Sequence, residues 1–234
     1  MSAPLAAAVP KQKCENELKW LLNGFPEAFD RLIIEGKGML PGFVLKQTYL
    51  LNVPHEEIQG LFPNDPIDWN NVVEVRIRQQ TQENHQRTQE ITKSDGNEKG
   101  SKMEEWKRMW ITLKSDGTTS RMELETSIDK AMYDNILYKS KIHGQPIVKE
   151  RYHLSPDHKQ HPSLVFEVDW FREPAGLFLA ELEFDPEQYN DMDVLRDLAK
   201  ATFGKQLVKE VTQDKAYKNR NLALNGVPLL SSSS

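Results

Sequence analysis

The 234-residue chain has a single cysteine, Cys14, so it can form no internal disulfide framework and suits a reducing compartment. It has no apolar run near the roughly 18–20 residues that cross a bilayer as a helix. It lacks a basic excess: 30 Lys and Arg stand against 35 Asp and Glu, a net charge of −5. That balance argues against sequence-independent binding to a nucleic-acid backbone. Met1 to Pro10 is Ala/Pro-rich with no basic residue ahead of it, so no secretory signal is expected and a cytoplasmic location is. Apolar residues reach only 38%, while charged residues reach 28%, so much of the charge must be organised rather than spread over a surface.

The alternation of residue types defines most of the elements. Trp110 to Lys114 and Arg121 to Glu125 flank Ser115-Asp116-Gly117, a strand–turn–strand pattern. Further strands are expected over 15–22, 43–51, 72–80, 147–154, 164–171 and 176–184, and a short one near 208. Helical spacing appears over 26–35, 127–141 and 191–203, with a basic helix at the end of the chain and one helical turn near Glu56. Residues 81–107 are polar throughout and cannot bury enough surface to offset their ordering entropy. The expected organisation is a mobile tail over 1–13, a single domain over 14–224 with a polar insertion at 81–107, and a second tail over 225–234.

Six strands carry like charges two residues apart: Glu15/Glu17, Arg76/Arg78, Glu123/Glu125, Lys149/Arg151, Glu167/Asp169 and Glu181/Glu183. Such neighbours share a face, about 6.5–7 Å apart. Their repulsion is about 0.6 kcal/mol in bulk water and about 2.4 kcal/mol at an effective dielectric of 20. Repeated on strand after strand, it calls for neutralising ligands. Carboxylate doublets suit hard divalent cations, and Arg/Lys doublets suit phosphate oxygens. With Glu74, the face sums to nine carboxylates against seven cations, so a polyanion should enter together with metal. The apolar residues of the other face need covering by the helices. The expected fold is therefore α+β but mainly β: an inside-out barrel with a charged lumen and helices packed outside.

The motifs Glu15-x-Glu17-x-Lys19, Val75-Arg76-Ile77-Arg78, Thr112-Leu113-Lys114, Arg121-x-Glu123-x-Glu125, Lys149-x-Arg151-Tyr152, Glu167-x-Asp169-x-Phe171, Gly176-Leu177, Ala180-Glu181-x-Glu183 and the stretch from Glu210 to Ala223 follow one another. In that order they resemble the CYTH superfamily of triphosphate tunnel metalloenzymes, and within it the small bacterial inorganic triphosphatases. The resemblance implies an eight-stranded antiparallel tunnel that hydrolyses the terminal phosphoanhydride of a triphosphate, inorganic tripolyphosphate first, with Mg²⁺ or Mn²⁺. It implies metal binding by Glu15, Glu17, Glu181 and Glu183. Phosphate binding falls to Lys19, Arg76, Arg78, Lys114, Arg121, Lys149 and Arg151. Glu123, Glu125, Glu167 and Asp169 would complete the metal site and orient water, and Lys215 or Lys218 would close the mouth.

Other activities of the superfamily stay open: nucleoside, thiamine or RNA 5′-triphosphate hydrolysis, adenylyl cyclisation, or binding without turnover. The sequence departs from the superfamily at Thr48, where Gln47-Thr48-Tyr49-Leu50 stands for Gln-Gly-Tyr-Leu. His158 and His161 read as a solvated turn, His153 as a rim residue, Cys14 as inert, and Trp110 and Tyr217 as packing residues.

Overall fold

The computed structural model describes residues 11–24, 39–82, 108–116, 120–156, 161 and 163–229, with 11–15, 39–41, 82 and 120 described by backbone only. The expected helix over 26–35, the insertion from 83 to 107, the first ten residues and His158 lie outside the described residues.

Eight long strands carry the fold: β1 (Lys11–Leu22), β2 (Met39–Leu51), β3 (Val72–Gln82), β4 (Arg108–Ser115), β5 (Ser120–Ser127), β7 (Ile147–Leu154), β8 (Phe166–Glu173) and β9 (Leu177–Glu183). Two short strands join them, β6 (Lys141–Ile142) beside β2 and β10 (Leu207–Glu210) beside β1. All described pairings are antiparallel, in the order β1-β5-β4-β3-β2-β7-β8-β9. The circuit returns to β1, whose first half pairs β5 and whose second half pairs β9. No residue of β1 pairs both β5 and β9 in these ladders. The result is a barrel-like sheet with its seam at β1, as the charge alternation predicts.

The four described helices are α1 (His55–Gly60), α2 (Lys130–Lys139), α3 (Met192–Phe203) and α4 (Asn219–Asn225). The Asp129 side chain accepts from Met132 N at the start of α2, and Asp191 accepts from Asp193 N at the start of α3. Each satisfies an amide that the helix leaves open. Gly204, at φ 51°, ends α3 in a conformation that side chains resist.

Burial separates the two faces of the sheet. Outside, Leu18, Trp20, Phe166, Val168, Ala180 and Leu182 pack under Leu195, Ala199 and Phe203 of α3. On another side Val75, Ile77, Ile111 and Leu113 pack under Ile58 of α1 and Tyr133 and Ile136 of α2. Thr48 is also buried and hydrogen-bonds Tyr133 of α2. The hydroxyl that departs from the superfamily pattern thus has an exterior partner.

A third apolar cluster lies on the inner face. Leu21, Tyr49, Ile147, Phe171, Leu177 and Leu179 share strand parity with the charged residues and meet Val211, Tyr217, Leu222 and Ala223. The 3₁₀ turn Lys215–Tyr217 and α4 therefore give the lumen an apolar floor. This end is pinned: Gln145 N donates to Ala223 O at 2.8 Å. At Gly144, φ +81°, an added Cβ would stand 2.5 Å from Ala223 O, so only glycine allows that approach.

Candidate functional site: a charge-balanced lumen

Above this floor lies a cavity of about 380 Å³. Its wall includes Glu17, Lys19, Arg76, Arg78, Lys114, Arg121, Glu123, Glu125, Arg151, Glu167, Glu181, Glu183 and Lys218, all expected from the sequence. Glu74, Gln47, Tyr49 and Asn219 complete it. The fold thus brings thirteen of the seventeen predicted residues onto one cavity wall.

Four predicted residues stand elsewhere or apart. Glu15 pairs Arg121 in the β1–β5 ladder, but its side chain is outside the described residues. Lys149 and Asp169 are each 0% exposed and lie on the inner face without lining the cavity. Lys215 is exposed and does not line it either. At the chain end Tyr217, Leu222 and Ala223 are buried, while Lys218 and Asn219 line the cavity.

The ladders show how same-sign doublets coexist. Lys19 lies opposite Glu181, Lys114 opposite Glu123, Glu74 opposite Lys114 and Arg151 opposite Asp169. Cross-strand neighbours are about 4.5–5.5 Å apart at Cβ, closer than the doublet partners along a strand. At these four positions opposite charges on the next strand offset the repulsion before any ligand does, whereas Glu17 faces Glu183 and Glu167 faces Glu181. The closest pairs follow this pattern: Lys19 to Glu181 at 2.7 Å and Lys114 to Glu123 at 2.7 Å. Arg78 pairs with Glu125, which also accepts from Thr112 Oγ1 at 2.8 Å. The Arg78 guanidinium lies 5.7 Å from the Trp110 ring centroid, so Trp110 supports a cation rather than offering an open face. Arg121 reaches Glu17 at 3.5 Å across the seam.

Arg151 is the most heavily engaged cation. It donates to Asp169 through Nε and Nη2 at 2.7 Å each, to Glu181 at 2.9 Å, and to Glu167. Burial would raise the Glu167 pKa, but Arg151 holds it down to about 2. Burial acts the same way on Glu181, and Lys19, Lys149 and Arg151 together keep it well below the carboxylate range. Burial would lower the Lys19 pKa, yet Glu181 and Glu17 raise it. Burial and then Arg121 push the Lys218 ammonium down.

The cavity wall carries seven carboxylates and seven cations, in two uneven parts. On β1, β7, β8 and β9, Glu17, Glu167, Glu181 and Glu183 outnumber Lys19 and Arg151. On β3, β4, β5 and the chain end, Arg76, Arg78, Lys114, Arg121 and Lys218 outnumber Glu74, Glu123 and Glu125. One wall has an anionic surplus of two and the other a cationic surplus of two.

Among the described residues no three His, Cys, Asp or Glu side chains converge tightly enough to hold a metal by themselves. Glu17 and Glu183 lie directly opposite each other on the acidic wall. Two hard carboxylates fit Mg²⁺, which takes one or two protein carboxylates and completes its shell from water and phosphate oxygens.

Gln47, Tyr49 and Asn219 escaped the charge-based reading because they are uncharged. Gln47 and Tyr49 do share the inner-face parity of β2, which is a sequence signal. Asn219 lies within the Glu210 to Ala223 motif stretch, where the resemblance assigns it no role; its Nδ2 lies 3.4 Å from Gln47 Oε1.

The fold and site together are a barrel-like antiparallel sheet that encloses an acidic and a basic wall. No family model matches the chain. Over 122 residues it is 34% identical to the inorganic triphosphatase of Nitrosomonas europaea, covering 50% of this chain and 68% of that protein. The solved PH1819 protein of Pyrococcus horikoshii OT3 has the same fold, with a TM-score of 0.50 at 16% identity, over 84% of this chain and 92% of that one. The chain belongs to the CYTH superfamily, with a bacterial inorganic triphosphatase as relative.

Proposed function

We propose that the protein hydrolyses the terminal phosphoanhydride of a triphosphate, inorganic tripolyphosphate above all, with Mg²⁺ or Mn²⁺. The observation that carries this reading is the division of a charge-neutral cavity into an acidic and a basic wall. A neutral cavity that took up a polyanion alone would become strongly negative, so a divalent cation must accompany it. The basic wall fits the phosphate chain: Arg76, Arg78, Lys114, Arg121 and Lys218 supply donors and positive charge. The acidic wall fits the metal, with Glu17 and Glu183, and Glu15 by its motif, as holders. The metal would neutralise phosphate oxygens and lower the barrier to attack by water.

The chain's own contribution is positioning and charge compensation, which is most of what phosphoryl transfer asks of a protein. Glu125 is held below its ordinary range, mainly because Arg78 offsets the effect of burial. A carboxylate so stabilised is a weak base, so it orients water rather than removing a proton. The relative's substrate, inorganic triphosphate by its name, agrees with this reading.

The test is phosphate release from tripolyphosphate by the folded protein with Mg²⁺ or Mn²⁺. Release is expected, together with its loss on EDTA treatment and its return with added metal. A folded protein that releases nothing with either ion would overturn the proposal.

A further inference from the structure

Lys19 sits in mid-strand opposite Glu181 of β9, yet both of its backbone groups turn to the chain end. Its amide donates to Thr212 Oγ1 at 3.0 Å, and its carbonyl accepts from Val211 N at 2.8 Å. Lys19 and Glu181 are therefore a non-hydrogen-bonded pair, the kind in which facing side chains come closest. The β5 ladder leaves β1 at Asn16 and the β10 ladder meets it at Trp20. Lys19 falls between them, and there a side-chain hydroxyl stands in for a strand. Thr212 is buried, and its proton goes to Glu210 Oε1 at 3.0 Å rather than to Lys19 O at 3.5 Å. Glu210 is held in turn by Arg196 of α3, whose Nε donates to Oε2 at 2.8 Å. With its own proton engaged by a carboxylate, the hydroxyl keeps its lone pairs for the Lys19 amide. Of these chain-end and strand residues, only Lys19 lines the cavity.

We propose that Thr212 is a positioning residue of the lumen: its hydroxyl fixes the Lys19 backbone and so the place of the Lys19 ammonium. The inference rests on the functional reading above, in which Glu17 holds the metal. Lys19 Nζ lies 2.7 Å from Glu181 and 3.7 Å from Glu17, so a shift of its backbone moves the ammonium against the metal holder. A buried amide deprived of its acceptor is costly to leave unpaired, and the chain around it adjusts. A misplacement of about 1 Å in a positioned group can cost about a hundredfold.

The test compares wild type with Thr212→Val, which loses the hydroxyl, and Thr212→Ser, which keeps it, each with Lys19 present and in a Lys19→Met background. The probe is the imido analogue of tripolyphosphate, which resists hydrolysis, with Mg²⁺, and binding is measured by calorimetry. With Lys19 present, Thr212→Val should weaken binding about tenfold, and Thr212→Ser should restore most of the affinity. In the Lys19→Met background the same change should cost less than about twofold, the scatter of independent sites. A tenfold loss in both backgrounds would overturn the inference, because Thr212 would then act without Lys19. Wild-type affinity in Thr212→Val would overturn it too. If wild type bound no analogue and released no phosphate from tripolyphosphate, the functional reading would fall alone. The hold on Lys19 would still be read by hydrogen exchange. Thr212→Val should speed exchange of the Lys19 amide about tenfold or more, while the Leu18 amide, in the β1–β9 ladder, stays protected. A Lys19 amide as slow in Thr212→Val as in wild type would overturn the positioning role as well.

Discussion

At the residue scale the site is governed by pairs across strands. Glu183 shows this most directly: it faces Glu17 across the β1–β9 ladder and lines the acidic wall. Two carboxylates so placed repel each other until a cation arrives. Glu183→Gln should therefore lower tripolyphosphate turnover while leaving the melting temperature equal or higher. Outer-shell partners of a metal already cost 10–100-fold when removed, so a direct holder should cost about 100-fold or more. Phosphate release and differential scanning fluorimetry on the same preparation check both halves. Thr48 makes a separate point at this scale. The residue at which the sequence departs from the superfamily pattern faces outward, toward Tyr133, because strand parity sends it to the other side.

At the element scale the floor decides the shape of the site. Tyr217 is 2% exposed among Leu21, Tyr49, Phe171 and Leu222, and its ring lies 5.3 Å from Lys209 Nζ. Tyr217→Ala should cost about 3–5 kcal/mol, the range for a buried aromatic truncated to alanine. The chain end should loosen with it, so urea unfolding is expected at a lower midpoint and activity should fall further than stability alone explains. Gly144→Ala acts on the same contact from the other side. Its Cβ would meet Ala223 O at 2.5 Å with φ at +81°, and a native-state proteolysis assay should find the segment after Tyr217 cut faster than in wild type.

For the whole molecule, stability is tied to pH through the acidic wall. Arg151 draws Glu167 from its ordinary 4.5 down to about 2. Between those values the unfolded chain binds more protons than the native one, so stability falls on acidification. The contribution is complete above 4.5 and gone once pH drops through about 2. Urea midpoints compared at about pH 5 and about pH 3 should drop in wild type and drop less in Glu167→Gln. An equal drop in both would remove Glu167 from the acid response. The same cluster explains why the lumen can be both buried and charged: its acids and bases are matched in number on the wall, so the molecule has little net burden to relieve until a ligand enters.

The alternation of Glu15 to Lys19, Val75 to Arg78 and Arg121 to Glu125 was enough to predict the strands, their charged inner face and the need for helices outside. Period-two patterning is a local property, written residue by residue. Sequence alone could not separate Lys149 from Arg151, which have the same parity and a similar charge, nor Lys215 from Lys218. Those distinctions depend on depth within the barrel and on where the chain end packs. Tertiary structure seated Tyr217 and α4 as a floor, hid Lys149 and Asp169 behind the cavity wall and brought Asn219 onto it. Which charge meets solvent, and which is spent on a neighbour, follows from contacts between residues far apart in the chain, and no local pattern encodes such contacts.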